Sequence, residues 1–139
     1  MGSRRKGREA ALRILYFMDV SGARGAHAIK AYWGHLADSS ELGEETEFAN
    51  EIVRSYAEHE DEVNEIIRSS SHHWRLERMP IVDRNVLRVA IVELRDMDDI
   101  PKRVTLNEAV ELAKRFGSEG SGSFVNGVLD RIATELGKS

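Results

Sequence analysis

The most apolar stretch of the 139-residue chain is residues 81–96, which read IVDRNVLRVAIVELRD. Its many β-branched residues favour a strand, whereas its length and an apolar residue at every fourth position favour a buried helix. That series comprises Val82, Val86, Ala90 and Leu94. Pro80 suits the start of a helix, where the missing N–H costs no hydrogen bond. The stretch therefore predicts the central helix of the fold.

Working outward, six further segments place apolar residues at helical spacing. They cover about 4–20, 25–37, 42–58, 60–73, 105–116 and 121–136. The chain has two prolines, Pro80 and Pro101, and each stands at a break between segments. The pattern predicts an all-α protein of about seven helices that form one domain over residues 1–139.

Two local signals refine these boundaries. Thr105 with Glu108 three residues later matches a capping box, which predicts a helix start at Thr105, and Gly117 suits its end. Asn126-Gly127 resembles a type I′ hairpin turn. Because the flanking strands would be only about three residues long, well below the usual length, the helix interpretation is favoured there too.

Composition excludes several classes of protein. With 41% hydrophobic and 32% charged residues, the chain has the balance of a soluble globular protein. It has no cysteine, which excludes disulfides, thiolate zinc sites and cysteine nucleophiles and suits a reducing cytoplasm. No apolar run approaches the roughly 18 residues that span a bilayer, so no membrane partner is expected.

The net charge of −4 hides a strong asymmetry along the chain. Residues 1–16 carry five cationic side chains against Glu9, whereas residues 38–65 carry eleven acidic side chains against Arg54. Cations at a helix N-terminus oppose the helix dipole, so an anion bound there would explain them. A basic end on an acidic body is expected of a protein that binds a polyanion at that end. A merely solvated basic terminus is the alternative.

A search for catalytic chemistry finds no convincing constellation. The neighbours His72 and His73 lack the spacing of a paired metal site, and the run from Glu60 to Glu62 fans around its helix. The glycine-rich residues 117–123 lack the lysine of a nucleotide-binding loop, which favours a connector that contacts at most one RNA phosphate. We expect no catalytic residue, no metal and no cofactor.

Proteins that bind single-stranded RNA combine cations, which pair with the phosphates, with exposed aromatic rings, on which the bases stack. Tyr16 and Phe124 are the candidate rings. Their helical spacing alone favours a place in the core for both.

Four blocks of the sequence, taken together, resemble one family. They are RRKGREAA at 4–11 with Leu15-Tyr16, the stretch IVDRNVLRVAIVEL at 81–94, LNEAVELAK at 106–114 and FVNGVLD at 124–130. In order and spacing they are similar to the NusB family of bacterial transcription antitermination factors.

The resemblance implies two packed helical sub-bundles, no enzyme activity and a role in transcription. Such proteins bind single-stranded boxA RNA together with NusE, a small-subunit ribosomal protein, in an antitermination complex with RNA polymerase on ribosomal RNA operons. Members differ in being monomers or homodimers. The residues that the resemblance assigns to RNA are Arg4, Arg5, Lys6, Arg8, Tyr16, Arg103 and Phe124. It assigns Asp83 to the NusE surface.

The chain departs from the family pattern in two places. Arg13 stands where the family often has glutamine, and Gly120 and Ser123 stand where some members carry an acidic and a basic residue. Two alternatives stay open at this point. One is the NusB-like domain of an RNA methyltransferase, and the other is a helical adaptor that binds protein only.

Overall fold

The computed structural model describes residues 2–36, 43–71 and 75–137, and throughout these ranges the ordered elements are helical. They contain α1 (Gly2–Ser21), α2 (Gly25–Ala31), α3 (Glu44–Glu58), α4 (Glu60–Ser70), α5 (Ile81–Asp96), α6 (Lys102–Phe116) and α7 (Ser121–Glu135). A π-helical turn at Tyr32–Leu36 continues α2, and a 3₁₀ turn at Leu76–Arg78 precedes α5. The predicted all-α class with seven helices is confirmed. None of the described helices is long and apolar enough to cross a membrane.

The chain divides into two compact helical units, Met1–Glu58 and His59–Ser139. In the first unit α1 packs chiefly against α3, around the fully buried Ile14, Leu15 and Ile52. In the second unit α5 and α7 contribute the fully buried Leu87 and Leu129 to a core shared with α4 and α6.

Gly7 allows the close approach of α1 to α3. A Cβ atom at Gly7 would lie 2.8 Å from Phe48 Cδ2 and 3.1 Å from the carbonyl oxygen of Glu45. Both distances are too short, and one of the two atoms belongs to the backbone, which cannot swing aside. The contact therefore requires a residue without a side chain.

Replacing Gly7 with alanine is expected to lower the free energy of unfolding by about 1–3 kcal/mol, because overpacking forces neighbours to shift. Gly127→Ala is the matched control. Gly127 is exposed within α7, and a Cβ there meets nothing within 4 Å. Alanine at Gly127 should stabilise the helix by roughly 0.5–1 kcal/mol. Urea unfolding measures both variants, and equal effects in the two would contradict the close packing at Gly7.

The predicted central helix α5 is buried along most of its length, including four polar residues, Asp83, Asn85, Arg88 and Glu93. Arg88 Nε donates to Asn64 Oδ1 of α4 at 3.0 Å, and Arg88 Nη1 donates to Asn85 Oδ1 at 2.8 Å. Near the other end of α5, the buried Glu93 accepts a 3.0 Å hydrogen bond from Thr105 Oγ1 of α6. These bonds explain how charged side chains are accommodated in an apolar core, since buried polar groups need partners.

Replacing Arg88 with alanine removes two buried donors and should lower the free energy of unfolding by about 2–4 kcal/mol, since Asn64 and Asn85 lose a hydrogen bond each. Arg68→Ala provides the comparison. Arg68 pairs with Glu65 and Glu77 at the surface, where an ion pair contributes at most about 1 kcal/mol. Thermal and urea unfolding report the difference, and similar losses for both arginines would show that the buried bonds contribute little.

The capping box predicted at Thr105 is wrong. The helix begins at Lys102, and the carbonyl of Pro101 accepts from the amides of Val104 and Thr105. Thr105 is buried in the second turn of α6, where its hydroxyl bonds Glu93 rather than an amide of its own helix. Thr105 thus serves as the hydrogen-bond donor to the buried Glu93 and not as a helix cap.

The predicted end of α6 and the helix over Asn126-Gly127 are both confirmed. Gly117 follows the last residue of α6 in an extended conformation, and the space around it leaves no room for a side chain. A Cβ there would lie 2.6 Å from both the carbonyl oxygen of Ala113 and Ser121 Oγ.

Candidate nucleic-acid interface

The N-terminal two turns of α1 concentrate positive charge. The first turn has no acidic residue, and the helix N-terminus adds free N–H groups and the positive end of the dipole. Arg4 and Lys6 are exposed, and Arg5 is partly exposed. The N-terminal end of α1 therefore presents three accessible cations to solvent, and this arrangement attracts an anion.

Arg8 differs from these three cations because it is only 4% exposed. Its Cζ lies 5.5 Å from the centre of the Phe48 ring on α3, and Arg4 Cζ lies 5.3 Å from the same centre. So deeply packed a side chain presents little surface to a phosphate in this conformation, and the predicted RNA contact of Arg8 stays a prediction. Its observed role is packing against α3.

Tyr16 lies on the same helix as the basic end and is 42% exposed. The core position favoured by its spacing is therefore wrong. Lys6, Arg13 and Tyr16 follow each other at intervals of seven and three residues, which places them along one face of α1. Arg13 is partly exposed between the other two. This face combines cations with an accessible ring.

Two further predicted RNA residues belong to the second unit. Arg103 is exposed in the first turn of α6, and Phe124 is partly exposed in the first turn of α7. The neighbour of Arg103, Lys102, is engaged with Asp130 of α7, at 3.4 Å between Nζ and Oδ1. Of the two cations, Arg103 is thus the more accessible.

Asp83, the residue predicted to face NusE, is 4% exposed. Its Oδ1 accepts a 2.8 Å hydrogen bond from Ser121 Oγ, and that hydroxyl also accepts from the backbone N–H of Ser118 at 3.1 Å. Asp83 therefore ties the α6–α7 connector to α5 and does not present its carboxylate at the surface. The contacts observed for Asp83 are structural, and its predicted contact with NusE stays a prediction.

The same contacts bear on the glycine-rich connector. The Ser118 amide is bonded to Ser121 Oγ, and the Asp83 carboxylate stands directly behind that hydroxyl. An anion that approached this segment would find the Ser118 N–H already hydrogen-bonded and would be repelled by the Asp83 carboxylate. The geometry supports the interpretation of this segment as a helix-to-helix connector.

Within the described ranges no group of three or more His, Cys, Asp or Glu residues could hold a metal ion. His72 and His73, for which the sequence predicts no metal site, lie outside the described ranges. The run from Glu60 to Glu62 forms the exposed first turn of α4, where carboxylates complement the positive end of the helix dipole.

Sequence reasoning missed Phe48 and Gly7 as parts of this site. Phe48 had the spacing of a core residue with Ile52, and Gly7 stood unremarked within the basic run. No local signal pairs a ring in α3 with arginines some forty residues earlier. Only the packing of α1 against α3 reveals the pairing.

The fold and the site define a class: a helical protein in two units, in which one helix carries accessible cations at its N-terminus and an accessible ring further along. The chain belongs to the NusB family, whose family model matches residues 5–134. It is 47% identical to the transcription antitermination protein NusB of Myxococcus xanthus (strain DK1622) over 139 residues, covering 99% of each chain.

Solved structures agree with the family assignment. A NusB structure from T. maritima has a TM-score of 0.84 and 36% identity, with 95% of this chain and 91% of that chain covered. A crystal structure of the antitermination factors NusB and NusE in complex with dsRNA has a TM-score of 0.80 and 27% identity. The match covers 97% of this chain and 98% of that chain.

Proposed function

We propose that this protein is a transcription antitermination factor that binds boxA RNA of nascent transcripts in the cytoplasm, together with NusE. It acts by binding rather than by catalysis, as one functional domain over residues 1–139. The observation that carries the proposal is the face of α1, where accessible cations and the exposed ring of Tyr16 lie on one helix.

The cations at the N-terminus of α1 and the ring of Tyr16 suit different parts of an RNA strand. Phosphates are neutralised by Arg4, Arg5 and Lys6 with release of bound counterions, which makes affinity depend on salt. An unpaired base stacks on the ring of Tyr16, a contact that tolerates any base. Arg103 and Phe124 are further proposed contacts in the second unit.

The partner assignment rests on the relatives. A related NusB is solved with NusE and a double-stranded RNA, which supports a joint surface for protein and RNA. We propose a single-stranded ligand because exposed rings stack on unpaired bases, whereas duplex bases are already stacked. Assembly with RNA polymerase follows from the antitermination role of the family.

Fluorescence anisotropy tests the function. The labelled probes are single-stranded boxA RNA, a scrambled strand of equal length and a boxA duplex, each with and without purified NusE. We expect preference for single-stranded boxA, which sharpens when NusE is added. Equal affinity for boxA and the scrambled strand, with and without NusE, would contradict boxA recognition. Loss of all RNA binding together with retained NusE binding would favour a protein-only adaptor.

A further inference from the structure

We propose that Phe48 is a positioning residue that holds the basic end of α1 in its RNA-binding arrangement, an inference that rests on the proposed function. Phe48 lies in the second turn of α3 and is partly exposed. The guanidinium carbons of Arg4 and Arg8 lie 5.3 Å and 5.5 Å from its ring centre. One ring on α3 thus engages two cations of α1.

The electrostatics of α1 alone do not favour this arrangement. Arg4 and Arg8 are four residues apart on one helix, a spacing at which like charges repel. Arg4 also lies in the first turn of α1, where cations oppose the dipole. The electron-rich face of an aromatic ring attracts a guanidinium within about 6 Å. Phe48 therefore offsets the repulsion in the part of α1 where cations are needed.

The ring is also confined on the side of α1. A Cβ at Gly7 would lie 2.8 Å from Phe48 Cδ2, so the ring packs directly against the backbone between the two arginines. One turn earlier, Ser3 Oγ donates to Glu44 Oε2 at 3.2 Å, a second link between α1 and α3. The first two turns of α1 are thereby tied to α3.

The consequence for RNA follows from helix geometry. Successive residues are about 100° apart around a helix, so fixing Arg4 and Arg8 against Phe48 also fixes the directions of Arg5 and Lys6. Preorganised cations bind a phosphate chain without losing further side-chain and backbone freedom. A frayed helix end would carry the same charge and bind more weakly.

A ring that served only to fill space could be replaced by another apolar side chain. Phe48→Leu and Phe48→Met keep apolar volume and remove the aromatic face, whereas Phe48→Tyr keeps that face. Phe116→Leu is the matched control, because Arg115 Cζ lies 5.3 Å from the Phe116 ring centre in the other unit.

Two measurements are made on each variant: affinity for single-stranded boxA RNA, and amide hydrogen exchange over residues 2–11. We expect Phe48→Leu to weaken RNA binding by about three- to tenfold, the range of one or two cation–π contacts, and to speed exchange in that segment. Phe48→Tyr should stay within about twofold of wild type in both measurements, and so should Phe116→Leu. If Phe48→Leu fails to fold, Phe48→Met gives the same comparison.

Wild-type affinity in Phe48→Leu, or equal losses in Phe48→Leu and Phe48→Tyr, would overturn the positioning role. The proposed function fails separately, because wild-type protein that binds no boxA RNA would overturn it whatever the exchange data show. Exchange at residues 2–11 needs no RNA and reports on the Phe48 stack by itself.

Discussion

Replacing Arg4, Arg5 and Lys6 together with alanine is expected to weaken boxA binding on the order of fifty-fold near 0.15 M salt and to flatten its salt dependence. These three phosphate contacts contribute about −2.1 to the slope for single-stranded RNA, which by itself weakens binding about eighteenfold when the salt concentration rises fourfold. Counting Arg8 as a fourth contact would give about −2.8 and fifty-fold. Because Arg8 is buried, we expect the smaller slope.

The control for this variant removes the same charge elsewhere in the first unit. Arg24, Lys30 and Arg54 are exposed cations outside the basic end of α1. Their triple alanine variant should keep a slope close to wild type, since it lacks only a diffuse, salt-screened attraction. A slope that is unchanged when Arg4, Arg5 and Lys6 are removed would place the RNA elsewhere.

Replacing Tyr16 with alanine is expected to weaken boxA binding by about 1–3 kcal/mol, roughly 5- to 160-fold, because a base loses its stacking partner. The salt slope should stay the same, since the change removes no charge. Tyr16→Phe keeps the ring and should bind within about twofold of wild type. Titrations at several salt concentrations separate the two effects.

Stability provides the check on the Tyr16 variant. The side chain is 42% exposed, so its loss should move the urea midpoint only slightly. A large loss of stability with unchanged RNA affinity would mean that Tyr16 is a core residue, as its helical spacing alone suggests.

The helices are predictable from the sequence because each must bury one face, and that requirement gives an apolar repeat that can be read locally. α5 is the clearest case. Its β-branched residues favour a strand, but its length and the apolar residue at every fourth position favour a helix, and the structure has a helix there. The site is less predictable, because its properties depend on which helices pack together.

Three residues have surroundings that the local sequence does not predict. The family resemblance assigns ligand contacts to Asp83 and Arg8, yet both side chains are buried, Asp83 against Ser121 and Arg8 against Phe48. Thr105 has the sequence of a helix cap, but the buried Glu93 takes its hydroxyl. In each case the deciding partner lies more than ten residues away in sequence, so no local pattern contains it.

The central claim is that RNA lies along the exposed face of α1, and photo-crosslinking tests it most directly. BoxA RNA carrying 4-thiouridine is irradiated with the wild-type protein and NusE, and the crosslinked peptides are mapped by mass spectrometry. We predict crosslinks within Gly2–Ser21, centred on Tyr16, that are lost in Tyr16→Ala. Crosslinks confined to other helices, with none in α1, would contradict the account.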